Sequence, residues 1–280
     1  MLRESFKIVV KKVGGINMKL FASDYDGTYC KHTRLGYRQM KQNIKVTKQW
    51  QEAGNLFVFA TGRDLSLMKM EELLHRIQYD YVIGLNGAII MSKEKSVLFR
   101  QTMSNKVARD IVLFIQQQSI SYFTITDGIN GYVQTPKRLT NKMFYLFKIL
   151  KYVAKLYTRS LDEALSYEVA QISVKMNSHQ DAIRVANLIN NQFGDEVMAF
   201  ANLVHVDISA KGLSKATGLE YLVKLHQLNN DEVYCIGDSF NDLPMIESFN
   251  GFTMIEACEE VKEKAKGTFS TVGDAMQSIL

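Results

Sequence analysis

The chain has 280 residues, 46% of them hydrophobic and 22% charged, with only two prolines and a formal net charge of +5. That length and composition bury a substantial core as one large domain or two ordinary ones, and they exclude a disordered or low-complexity chain. No apolar run approaches the roughly 20 residues of a membrane span, and three scattered cysteines exclude a disulfide framework or a zinc site, so a soluble protein of the reducing cytoplasm is expected.

Residues 1–17 hold Arg3, Lys7, Lys11 and Lys12 against Glu4 alone. Without them the charge is close to balanced, and the basic total does not point to nucleic acid. The stretch also lacks the apolar core of a secretory signal. Met18 stands directly before the first apolar run, and the Gly14-Gly15 codons are able to encode a ribosome-binding sequence. Residues 1–17 are therefore expected to be a non-native or disordered leader, which the mass of the chain made from its own promoter checks.

The run Leu20 to Ser23 reads as a buried strand that ends in Asp24-Tyr25-Asp26-Gly27-Thr28. Two carboxylates thus sit at the carboxyl end of a strand, where α/β sheets gather ligands. Past the strand end the alternation of faces no longer binds them, so the two acids are free to take different jobs around one point. Val46 to Ala53 reads as a helix ending at Gly54, and Leu56 to Ala60 as a second strand, ending in Thr61-Gly62-Arg63. A hydroxyl and free backbone N–H groups ahead of a helix suit an anion, although Thr61 or Asp64 would equally cap that helix. The helix Leu65 to Ile77 and the strand Tyr81 to Leu85 continue a βαβ rhythm.

From Ala88 the rhythm changes to a hairpin, Ala88 to Met91 and Val97 to Phe99, followed by a helix from Asn105 to Gln118. Strands near 122–126 and 132–134, a helix over 139–157, a strand over 168–176, a helix over 179–192 and strands near 197–200 and 204–208 complete an α+β stretch. Residues 87–205 are read as an inserted domain between the two parts of a first one, 18–86 and 206–280. The parallel pattern resumes with a helix from Gly212 to Leu225 carrying Lys215, and with Val233 to Ile236, a strand that ends in Gly237-Asp238-Ser239-Phe240-Asn241-Asp242.

Three apolar strands therefore end in polar tips, and a parallel sheet brings such ends to one edge. Nearby carboxylates repel one another unless a cation lies between them, and hard oxygen ligands suit Mg²⁺. Asp24-x-Asp26-Gly27-Thr28, Thr61, Gly212-Leu213-Ser214-Lys215 and GDSFND resemble, in order and spacing, the four motifs of the haloacid-dehalogenase-like superfamily. The insertion between the second and third motifs resembles the Cof-type branch.

The resemblance implies a Rossmann-like α/β core with an inserted α+β cap domain, and a Mg²⁺-dependent phosphatase acting on small phosphorylated metabolites such as sugar phosphates. Asp24 is then the nucleophile that forms an aspartyl-phosphate, and Asp26 the acid and base, with its backbone carbonyl on the metal. Asp24, Asp26 and Asp238 are the implied metal ligands. Tyr25 and Gly62 through their backbones, with Thr61, Lys215 and Asn241, are the implied phosphate binders. Asp242 is open between a place behind the ligands, a bridge through water, a direct ligand and a helix cap, and Arg63 either reaches substrate or pairs with an acid. Asn241 has a second reading as a helix cap, and Lys215 one as a solvated helix lysine.

Where the branch usually has Met-x-Asn-Ala, this chain has Met254-Ile255-Glu256-Ala257, so any contact made there differs. Segment 136–159 is rich in Lys, Arg and aromatics without an acid, and reads as a core face with solvated lysines rather than a membrane or nucleic-acid surface. A phosphomutase on the same core, or a non-catalytic phosphosugar-binding regulator, are the alternatives. Oligomeric state is not legible.

Overall fold

The computed structural model describes residues 18–134 and 161–280. The expected leader 1–17 and the basic-aromatic segment 136–159, with its predicted helix 139–157, lie outside the described residues.

The fold opens on β1 (Leu20–Ser23), buried along its whole length. α1 (Arg34–Glu52) follows, with the Thr33 side chain accepting from Gly36 N at its start. It begins well before the predicted Val46, because Met40, Asn43, Val46, Thr47 and Trp50 make one buried helical face that mixes polar with apolar residues and so hides its own period. β2 (Leu56–Ala60), α2 (Leu65–His75) and β3 (Tyr81–Gly84) continue the parallel rhythm. A turn through Leu85–Gly87, with Asn86 at φ 53°, then reverses the chain into β4 (Ile89–Ser92) and β5 (Val97–Arg100).

Next come α3 (Asn105–Gln116), β6 (Ile120–Thr126), β7 (Gly131–Gln134), α4 (Leu161–Ala164) and β8 (Gln171–Met176). α5 (His179–Phe193), β9 (Val197–Asn202) and β10 (His205–Ala210) close that unit. The chain returns through α6 (Lys215–His226), β11 (Val233–Gly237), α7 (Leu243–Ser248) and β12 (Asn250–Met254). It ends in α8 (Glu259–Lys262), β13 (Thr268–Phe269) and α9 (Val272–Gln277).

Two sheets result. The first has the order β13-β12-β11-β1-β2-β3-β4-β5, parallel as far as β3 and antiparallel over its last two strands. Its central strands are buried on both faces, as a parallel sheet requires. Phe21, Phe57 and Phe59 pack toward Trp50 of α1 and Met276 of α9, whereas Leu20, Ala22 and Val58 pack toward Leu219 of α6 and Ile246 of α7. The second sheet, β7-β6-β8-β10-β9, is antiparallel and buries a separate apolar cluster against α3 and α5. This is the expected α/β core with an α+β cap.

Sheet membership moves both expected boundaries of the inserted unit. The hairpin Ile89–Arg100 pairs with β3 and belongs to the first sheet, so 87 is too early. An antiparallel edge on a parallel sheet is common, and a change of rhythm there need not mark a new domain. β10 runs from His205 to Ala210 between β8 and β9, so 205 is too early as well. Among the described residues, no helix is long and apolar enough to cross a membrane.

Candidate active site

β1 lies between β11 and β2, and the chain departs from it in both directions across the sheet. The crevice beyond the carboxyl ends of β1 and β11 is thus the switch point of this sheet. Asp24 stands at its floor, its backbone N donating to Ile236 O of β11 at 2.9 Å and the residue as a whole only 5% exposed.

Lys215 reaches Asp24 from the first position of α6, where Ser214 and Thr217 form a reciprocal cap. Its Nζ, 1% exposed, donates at 2.6 Å to Asp24 Oδ1 and at 2.6 Å to Asp242 Oδ1. The reading of Lys215 as a solvated helix lysine is excluded. Asp242 is fully buried, and its Oδ2 accepts from the backbone N of Asp238 and Ser239 and from Ser239 Oγ. With those acceptor sites taken, Asp242 holds Lys215 and shapes the loop after β11. Gly237 makes this possible, since a Cβ there would stand 2.3 Å from the Asp242 carboxyl carbon.

Asp238 faces Asp24 across the crevice and accepts from Thr28 Oγ1 at 2.6 Å. Gly27 lets the β1 loop pass this close, with φ at +85° and a hypothetical Cβ 2.7 Å from Asp238 Oδ2. One carboxylate oxygen from each of Asp24, Asp238 and Asp242 lies within 4.8 Å of the other two. Three acids therefore share one ammonium. Burial pushes the Asp24 carboxyl well up, Lys215 opposes that, and Asp242 and Asp238 add to it. Asp238 is also raised, first by burial, with the Thr28 hydrogen bond opposing. Lys215 moves up against the effect of burial because Asp24 and Asp242 both favour its charge. The site carries surplus negative charge on hard oxygen atoms, and a divalent cation of the Mg²⁺ type fits that donor set.

Asp26, expected to offer a metal its backbone carbonyl, turns its carboxylate to other partners. Arg63 Nε donates to Oδ2 at 2.7 Å and Nη2 to Oδ1 at 2.6 Å, and His32 Nε2 lies 2.8 Å from Oδ1. Burial raises Asp26, but Arg63 and then His32 outweigh it and hold the carboxyl below its usual range. Arg63 thus pairs with acids: its Nη1 also donates to Glu71 Oε1 at 2.5 Å, and its guanidinium lies 4.8 Å over the Tyr25 ring. The Tyr25 hydroxyl donates to Glu71 Oε2 at 2.8 Å.

The cap of α2 is Asp64, which accepts from Leu67 N, so Thr61 is left with only its own turn: its Oγ1 accepts from Arg63 N at 3.1 Å. Asn241 does not cap a helix either. Its Nδ2 donates to Asn86 Oδ1 at 3.2 Å, and its Oδ1 accepts from Ser239 Oγ. The Asn86 amide also lies 3.4 Å from the point where a Cβ on Gly62 would sit, so Gly62, Asn86 and Asn241 meet on one side of the crevice.

Sequence reasoning missed Asn86, Thr28 and His32. Asn86 was findable as the polar tip of β3, a fourth strand ending at the same edge. His32 was not, because nothing in its spacing ties it to Asp26. Glu256, which stands at the departure from the Cof-type pattern, accepts from Lys31 Nζ at 2.7 Å.

The profile of the haloacid dehalogenase-like hydrolases matches residues 21–275. Phosphatase YwpJ of Bacillus subtilis is 24% identical over 271 residues, covering 89% of this chain and 93% of its own. The 5-amino-6-(5-phospho-D-ribitylamino)uracil phosphatase YbjI of Escherichia coli is 24% identical over 90% of each chain. A solved haloacid dehalogenase-like hydrolase from B. subtilis superposes with a TM-score of 0.77 at 22% identity, covering 94% of this chain and all of that one. With that profile spanning nearly the whole chain and its motif residues gathered in one crevice, the chain belongs to the haloacid dehalogenase-like hydrolases, in the branch whose named relatives are phosphatases.

Proposed function

We propose that this chain is a Mg²⁺-dependent phosphatase that hydrolyses small phosphorylated metabolites, sugar phosphates or similar, through an aspartyl-phosphate on Asp24. The observation that carries the reading is the meeting of Asp24, Asp238, Asp242 and Lys215, from three separate parts of the chain, in one buried crevice. The phosphatase names of YwpJ and YbjI support it.

An Asp24 carboxylate oxygen attacks phosphorus, and the bond from phosphorus to the leaving oxygen breaks as that oxygen takes a proton from Asp26. Asp26, ionised while it pairs with Arg63, takes that proton beforehand from the monoanionic phosphate of the entering substrate. Water then attacks the aspartyl-phosphate and gives its proton to Asp26, which releases phosphate and restores Asp24. Lys215, Thr61, Asn241 and the backbone N–H groups of Tyr25 and Gly62 hold the phosphoryl oxygens while charge moves between them. The Asp24 and Asp238 carboxylates and the Asp26 backbone carbonyl are the groups to hold Mg²⁺, which when bound cancels the repulsion between a phosphate dianion and these acids.

Phosphate release from a panel of sugar phosphates and nucleotides with Mg²⁺ tests this, together with Asp24→Asn. Turnover of an aryl phosphate is expected to vanish in the variant while its circular dichroism stays that of the wild type. A wild-type chain that releases phosphate from no member of the panel overturns the proposal. One that moves phosphate between positions of a sugar without release is a mutase.

A further inference from the structure

Three residues of α2 are buried, Leu65, Met68 and Glu71, and the third of them is a carboxylate. Glu71 is 7% exposed and takes no part in the chemistry above. Burying a carboxylate is costly unless it is paired, and an apolar side chain of similar size often serves stability as well as the pair does. What a buried pair does fix is direction.

Both close partners of Glu71 stand beside Asp26. Arg63 Nη1 donates to its Oε1 at 2.5 Å, and the Tyr25 hydroxyl donates to its Oε2 at 2.8 Å. Tyr25 directly precedes Asp26. Its fully buried ring meets the Phe59 ring edge-on, with centroids 5.5 Å apart, and carries the Arg63 guanidinium 4.8 Å over its face. One carboxylate thus grips both the tip of Arg63 and the ring beneath it. The other side of the same guanidinium, Nε and Nη2, meets the two oxygens of Asp26. Because a guanidinium is planar and rigid, holding Nη1 and one face also sets the side that meets Asp26.

Asp26 has little else to orient it. Its side chain lies past the end of β1 and is 45% exposed, and among the described residues only Arg63 and His32 come within hydrogen-bond distance of its carboxylate. Proton transfer tolerates little misplacement, since donor and acceptor must approach to about 3 Å.

We infer that Glu71 is a positioning residue for the proton transfers: with Tyr25 it sets the Arg63 fork, and through that fork the direction of the Asp26 carboxylate. The inference rests on the phosphatase reading of Asp24 and Asp26. In the first step the bond from Asp24 to phosphorus forms, the bond from phosphorus to the leaving oxygen breaks, and the Asp26 proton goes to that oxygen. In the second, water attacks phosphorus, its proton goes to Asp26, and the bond from phosphorus to Asp24 breaks. Both steps need the carboxylate in line, and only the first depends on the leaving group.

The test compares a sugar phosphate, whose alkoxide leaves only with a proton, with dinitrophenyl phosphate, whose phenolate leaves without one. Since kcat/KM covers the steps up to loss of the leaving group, Asp26 counts in it for the first substrate and not for the second. In Glu71→Met the ratio of the two kcat/KM values, sugar over aryl, is expected to fall about 10-fold or more, part of the roughly 100- to 10,000-fold that a positioned acid supplies. For dinitrophenyl phosphate kcat and KM are expected to fall together, because water attack on the aspartyl-phosphate still needs Asp26. Tyr25→Phe keeps the ring and removes one donor to Glu71. It is expected to move the ratio the same way by less, and it decides alone where Glu71→Met does not fold. General damage to the fold lowers kcat/KM for both substrates alike. A ratio unmoved in both variants overturns the inference, as do an equal fall for both substrates and a wild type that cleaves only the aryl ester. In those cases phosphate release by the wild type with Mg²⁺ upholds the reading of the reaction. A wild type that releases phosphate from neither substrate overturns that reading, and the inference falls with it.

Discussion

At Lys215 one side chain answers for two acids. It is 1% exposed, and both of its 2.6 Å partners are themselves buried, so its removal strands Asp24 and Asp242 beside each other without a counter-charge. Breaking a buried pair from one side costs about 3–5 kcal/mol, much more than the pair contributes when intact. Lys215→Met is accordingly expected to lose phosphatase activity and to unfold at a lower urea midpoint by an amount in that range. The loss has a pH signature. Without the ammonium, the Asp24 carboxyl, already pushed up by burial, rises further, and the folded variant takes up a proton that the unfolded chain does not. Stability lost at neutral pH is then partly recovered as pH falls through that raised value. A variant as stable as the wild type, or one whose deficit is the same at all pH values, contradicts this account.

Elements were legible where they carried an unmixed apolar signal. Leu20 to Ser23, Leu56 to Ala60 and Val233 to Ile236 are buried on both faces and read as strands from composition alone. Their polar tips were equally plain, and two acids read from them, Asp24 and Asp238, meet in the crevice. The hairpin Ile89–Arg100 was misplaced because its strands look the same in either sheet, and only pairing with β3 decides. The turn of Asp26 toward Arg63 and His32 was also hidden, since side-chain direction past a strand end leaves no period to read. α6 shows a further link that no pattern announces: His226, its last residue, places Nε2 2.8 Å from the Tyr81 hydroxyl of β3 and keeps Nδ1 buried without a partner among the described residues. Burial holds this imidazole below its ordinary pKa, with Asp80 opposing. The unfolded chain, at about 6.5, therefore binds the proton first as pH falls. The contribution is complete above that value and is lost as pH drops from there toward the folded pKa. Thermal midpoints measured from neutral to mildly acid pH should fall less steeply in His226→Gln than in the wild type, and equal slopes would remove His226 from the explanation.

The core and the cap bury separate apolar interiors. The cap cluster around Val112, Phe123 and Ile189 shares no residue with the core clusters, and among the described residues the chain crosses between the units near Met103 and Ala210. Units with separate interiors and few shared contacts open separately unless something couples them. The candidate metal ligands Asp24 and Asp238 both belong to the core, so Mg²⁺ is expected to stabilise that unit alone, by about 2.7 kcal/mol at a concentration 100 times its Kd. The chain supplies its own reporter. Its one tryptophan, Trp50, is fully buried on α1 against Phe21, with ring centroids 5.9 Å apart, and senses only the core. Far-ultraviolet circular dichroism senses both units. The tryptophan transition in urea should therefore move to higher concentration as Mg²⁺ is added, while part of the dichroism signal stays where it was and the two curves draw apart. In Asp238→Asn the displacement should shrink, because a ligand is gone. If both probes report one transition that moves as a whole, the division into core and cap at these boundaries fails as a description of folding units. In that case the contacts of Ala170, Ala210 and Ile129 with the core cluster bind the two parts more tightly than their separate interiors imply.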